Sequence, residues 1–177
     1  MSEMPKISTR QNKNLYQKRR ESLGLSRERA SELLRGMSPE RIERIESEKS
    51  APYPDEVLTM AEGYKSPELC NHYCANQCPI GQHYVPEIRI KDLSGIVLEM
   101  LASLNSMNKK KERLIEITAD GVIDGEEIED FVYIQEELER ISITVETLQL
   151  WSERMLATGA IDVEKYKEYK KRKGGSI

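Results

Sequence analysis

Apolar residues along this chain recur at intervals of three and four, the spacing that lines one face of a helix, and an all-α fold follows. Leu15, Tyr16, Arg19 and Leu23 set the phase of a first helix over 13–23, which Gly24 stops. Ala30, Leu33 and Leu34 give a second over 27–34, capped by Ser26. Ile42 and Ile45 give a third over 39–47, opened by Ser38 and Pro39. After the breaker SAPYP, Asp55 is placed to cap a fourth helix ending at 64, with Val57, Leu58 and Ala61 turned inward. SPEL starts a short fifth.

Past the Pro- and Gly-containing stretch PIGQHYVPEI the pattern lengthens. A helix over 90–118 carries Leu93, Val97, Met100, Leu101, Leu104, Met107, Leu114 and Ile115. After the turn ADGVIDG, a second over 126–158 carries Ile128, Phe131, Leu138, Ile141, Val145, Leu148, Trp151 and Met155 as one stripe. Ile134, Ile143 and Leu150 lie off that stripe, so this helix is apolar on more than one side. Two helices cannot cover that much surface alone, and a homodimer through them is the simplest cover. A short charged helix over 163–173 precedes the tail GGSI. The expected organisation is a disordered arm over 1–12, five short helices beginning at 13, a Cys-rich joint and linker over 70–89, and a long helical hairpin over 90–173. The hairpin would serve dimerisation or signal reception.

The formal net charge of −4 hides an asymmetry. Residues 1–50 hold 12 Lys/Arg against 8 Asp/Glu, and the remainder holds 15 against 23. The basic part coincides with GLSRERASELLRGMSPERIERIESEKSAP, residues 24–52, where two short helices meet around a Gly-containing turn. That is the sequence form of a helix-turn-helix, whose second helix can enter the major groove of DNA. LSRERASELL, then GMSPERIERIESEK, then PYPDEVLTMAEGY come in an order and spacing that resembles the lambda-repressor-like family of helix-turn-helix domains, over residues 13–69. Two departures stand out: an extra residue at Arg35 in the turn, and a third helix rich in acid (Glu40, Glu43, Glu46, Glu48).

The resemblance implies a sequence-specific DNA-binding transcriptional regulator whose partner is double-stranded DNA, read by the helix at about 39–47. By position Ser38, Glu40, Arg41, Glu43 and Arg44 would face the groove. Arg27 and Arg29 would hold a phosphate, as would Lys49. Glu46 matches a position that the family usually fills with Glu, where a structural role is expected. Carboxylates repel phosphate, although Glu can accept from cytosine N4. The competing expectation is a helical adaptor or scaffold that keeps the fold for protein contacts.

Cys70, Cys74 and Cys78 fall within CNHYCANQC, flanked by His72 and His83. Thiolates and imidazoles this close suit zinc, with Cys70, Cys74, Cys78 and His83 as a four-ligand set, or an iron–sulfur cluster on the thiolates. Positions at i, i+4 and i+8 on a helix suit three buried free thiols equally well, and a reactive redox thiol is a further reading. EITADGVIDGEE can be laid on a 12-residue calcium loop, but Glu116 stands in the first place where Asp is expected and Thr118 takes the third, and an Asp-Gly turn is the plainer reading. No Gly-rich phosphate loop, HExxH or GxSxG occurs, so no enzymatic role is expected. With no secretory signal and no membrane-spanning run, the expected compartment is the cytoplasm.

Overall fold

Side chains that accept from free amide groups start four of the helices. Ser26 and Ser38 accept from Arg29 N and Arg41 N, Asn14 from Gln17 N and Asp92 from Gly95 N. The computed structural model describes residues 12–119 and 121–174. They form α1 (Leu15–Ser22), α2 (Arg27–Leu33), α3 (Pro39–Glu46), α4 (Pro54–Gly63), α5 (Glu68–Asn76), α6 (Gly81–Tyr84), α7 (Leu93–Ile117), α8 (Ile128–Thr158) and α9 (Val163–Gly174), with no strand among the described residues. The arm expected over 1–12 lies outside them apart from Asn12, as does Asp120 of the Asp-Gly turn. Asp124 caps the start of α8's approach instead, accepting from Glu126 N and Glu127 N.

The chain divides into two units, Met1–Glu87 with Glu153–Ile177, and Ile88–Ser152. In the first, Tyr16, Ala30, Leu34, Ile42, Ile45, Met60, Tyr64 and Leu69 form the core. Gly24 and Gly36 take positive φ (+66° and +91°) where α1 ends and where the chain turns from α2 into α3, a conformation other residues adopt only with strain. Leu33 and Leu58, expected inside, are exposed. Leu34 fills the core where α2 ends, which leaves its neighbour on the far side. On α4, Met60 takes the inward place with Val57 and Ala61. Asp55 is not the cap of α4. Pro54 already holds the first helical position, so Tyr53 is the N-cap, and Glu56 reaches back to accept from Tyr53 N at 2.7 Å.

The segment read as a joint over 70–89 is mostly part of the first unit. Leu69 is fully buried, and the Tyr16 hydroxyl donates to Gln77 Oε1 at 3.2 Å, tying α1 to the end of α5. The stretch read as linker holds α6, which lies so close to α5 that a Cβ on Gly81 would collide with the Cys74 carbonyl. The last turn of α8 and α9 also group with this unit rather than with the long helices, and the Glu153 charge acts on Cys70.

In the second unit α7 and α8 run antiparallel beside their connection. Asp130 accepts from Lys110 Nζ (3.2 Å) and Arg113 Nε (2.8 Å), and Ser106 Oγ meets Tyr133 Oη at 2.8 Å. Ile96, Ser103 and Ile117 are buried on α7 at multiples of seven. On α8 the buried residues are Ile134, Glu137, Thr144, Thr147 and Leu150. Ile134 and Leu150, which the stripe leaves aside, are therefore inside, while Ile128, Leu138 and Val145 of the stripe are outside. The long-range contacts that set this rotation leave no trace in periodicity. No helix among the described residues is long and apolar enough to cross a membrane.

Candidate nucleic-acid interface

The third helix is held from behind by charge as well as by apolar packing. Ile42 and Ile45 enter the core, and Glu46 beside them is 3% exposed. Its carboxylate accepts from Arg20 Nε and from Arg20 Nη2 (3.0 Å), and also from Arg27 Nε at 2.9 Å. Arg20 is itself buried and donates to the Leu25 carbonyl. One carboxylate therefore locks α1, the start of α2 and the end of α3 into one body. Arg19 closes the far side, donating to the Tyr64 and Lys65 carbonyls at the end of α4. Arg19 and Arg20 carry none of the expected site roles, because their partners lie 45 and 26 residues away, respectively, and nothing local announces them.

With its back fixed, α3 presents Ser38, Glu40 and Arg44 to the outside. Arg41 differs from expectation. It turns toward α4, where Glu56 takes it through two bonds (Nε–Oε1 and Nη2–Oε2, both 2.6 Å). Ser50 Oγ accepts at 2.7 Å, the Ala51 carbonyl at 2.9 Å, and the Tyr53 ring lies 5.2 Å from the guanidinium carbon. A guanidinium fork matches a carboxylate in this way, and these bonds take four of the five N–H donors of the group. Arg41 therefore fastens the 50–53 turn to α3 rather than facing a groove. Lys49 and Glu43 bond to each other at 3.1 Å at the surface. Arg27 is half spent on Glu46, and Arg29 and Arg44 are exposed.

Acid sits at the leading edges. Glu40 is held below the usual carboxylate range by its own backbone amide and by Ser38, and Glu28, at the start of α2, by its own amide and Ser26. The Glu28 charge acts on Glu40 in the opposite sense, so the N-terminal ends of α2 and α3 carry neighbouring ionised carboxylates. Glu56 is depressed chiefly by its bond to Arg41. A carboxyl with a folded pKa below its unfolded value of about 4.3 contributes stability above that pH and loses it as pH falls through the folded value. The thermal midpoint of the wild type should therefore fall more steeply below about pH 5 than that of Glu56→Gln, with the two curves converging in acid. Melting curves from pH 7 to pH 3 would show this, and parallel curves would remove the Arg41–Glu56 latch from the account.

Compared with family models, with curated proteins and with solved structures, the chain matches none. Its function has to be read from its own side chains.

The cysteines do not assemble with His83. Among the described residues no three of His, Cys, Asp and Glu converge as ligands. Cys70 and Cys74 lie one turn apart on α5. Cys78 comes after the helix, where its sulfur accepts from Gly81 N at 3.5 Å, and His83 is exposed on α6. Burial, then the neighbouring Cys74 and Glu153, pushes the Cys70 thiol up. Burial lowers His72, whose ring meets Tyr16 edge-on at 6.0 Å.

Proposed function

We propose that the first unit is a helix-turn-helix head and that the protein is a dimeric, sequence-specific DNA-binding regulator of transcription, with its long helices as a hairpin that pairs two heads. The observation that carries this reading is α3 itself. Its rear is locked by Ile42, Ile45 and Glu46, while the edge bearing Ser38, Glu40 and Arg44 is open. A helix fixed on one side and bare on the other is what entry into a major groove requires. In this reading Arg44 reaches base edges, Arg29 holds a phosphate, Glu40 accepts from a cytosine amine, and Lys49 exchanges Glu43 for phosphate.

Selection of duplexes from a genomic pool at low salt tests it. The expected product is a site of two half-sites related by a two-fold, bound less tightly as salt rises. Arg44→Ala should cost about 1–3 kcal/mol on the preferred site and relax preference at one position. Arg29→Ala should weaken all sequences alike and reduce the salt slope by about one. Enrichment of no sequence would end the reading.

A specific observation favours a second reading, a protein-contact adaptor. Glu28 and Glu40 place two ionised carboxylates where a phosphate would approach. Under this alternative, a pull-down after nuclease treatment enriches a partner with a basic surface, and Glu40→Gln with Glu28→Gln abolishes its capture without creating DNA affinity.

A further inference from the structure

The second unit buries polar residues among its apolar ones and leaves apolar residues outside. Ser103, Glu137, Thr144 and Thr147 are inside with Ile96, Ile117, Ile134 and Leu150, while Val97, Leu101 and Leu104 on α7 and Ile128, Leu138 and Val145 on α8 are each between 40% and 54% exposed. These six share a face. Val97 and Leu104 directly follow the buried Ile96 and Ser103, and Leu138 and Val145 directly follow the buried Glu137 and Thr144. In an antiparallel pair with seven-residue spacing, positions that follow a seam residue flank the seam on one side, and positions three beyond it flank the other. The Ser106–Tyr133 bond fixes which is which, since Ser106 and Tyr133 stand three beyond Ser103 and Asp130. The polar bond closes one side, and the six apolar residues line the other, with Leu101 and Ile128 one turn further out.

We infer that this face is the docking surface for a second copy of the same chain, which covers it to make a four-helix bundle. Such bundles pack helices on side chains arranged in this way. The area is adequate: the six side chains leave on the order of 500 Å² uncovered, most of the ~800 Å² that each partner contributes to a stable interface. The charge fits as well. Lys111 is the one ionisable residue at the positions flanking the seam on this side and one turn beyond, so two identical faces can close without burying opposed charge. The Ser106–Tyr133 side carries Glu99, Arg113, Glu129, Glu136 and Arg140. An anionic lipid surface is a poor occupant, because residues 88–152 hold 7 Lys/Arg against 14 Asp/Glu. The same excess makes two copies repel at long range, so added salt tightens the pair by screening.

The inference deepens the paired-regulator reading by naming the face, and its test uses no DNA. Sedimentation of the full chain at micromolar concentration should give twice the chain mass of 20.4 kDa. The dissociation constant should fall as salt rises, opposite to the salt dependence expected for DNA binding. Leu104→Glu with Leu138→Glu should give a monomer of unchanged helix content. If that pair of charges prevents folding, the milder Leu101→Gln, at a half-exposed position, should weaken pairing by about tenfold. Glu99→Gln, on the opposite side, should leave it intact. A wild type that stays monomeric, or a dimer indifferent to Leu101 and Leu104, overturns the assignment. A monomer that still selects DNA overturns this inference alone, and a dimer that selects none leaves it standing.

Discussion

Glu46→Ala should unfold the first unit at temperatures where the wild type is fully folded. The carboxylate is bonded to Arg20 and to Arg27, and Arg20 is 6% exposed. Removing the acid leaves the buried Arg20 guanidinium with only the longer contact to Glu21, at 3.7 Å. Breaking a buried pair from one side costs about 3–5 kcal/mol, because the remaining ion has lost water and its hydrogen-bonded partner. For a unit of this size that is a fall in midpoint of at least about 12 °C. Thermal melts followed by circular dichroism would measure it. Glu46→Gln should lie between the two, since the amide oxygen can accept one of the bonds but carries no charge. A change of less than about 1 kcal/mol for Glu46→Ala would mean that apolar packing alone fixes α3.

A second buried carboxylate should behave in the opposite way. Glu137 is 3% exposed on α8, and its carboxylate accepts from Arg140 at 2.6 Å. The Arg140 side chain is 63% exposed, so when Glu137 is replaced the guanidinium returns to water and strands no buried charge. Glu137→Leu should therefore stabilise the second unit by about 1–3 kcal/mol, by removing the desolvation of an acid and adding apolar burial. Chemical denaturation of the full chain, followed at Trp151, reads the change. Destabilisation beyond about 1 kcal/mol would show that the acid has a structural partner in the folded protein and is not merely tolerated. The two residues show that burial alone does not set the sign: the fate of the partner does.

How much of this was legible in advance depended on distance along the chain. The caps Ser26 and Ser38, the stop at Gly24 and the existence of the long helices are local properties. They were readable because an amide three residues on, or a φ near +66°, depends on one or two neighbours. Arg41 was misplaced for the same reason. Its position on α3 is a matter of periodicity, but its direction is set by Glu56, 15 residues later, and by the 50–53 turn. The cysteines read equally as ligands or as core, and only the fold shows Cys78 outside α5 and His83 exposed on α6.

The amino-acid order alone determined that the chain is all-helical, where most helices begin, and that the long helices carry more apolar surface than two helices can hide. Each is a sum of short-range preferences. Which face of α8 turns inward, which arginine is consumed by the scaffold, and that α5, α6 and α9 join the first unit were decided by tertiary structure. Those outcomes depend on pairings between residues tens of positions apart, and the energy of such a pairing exists only once the chain has closed the loop between them.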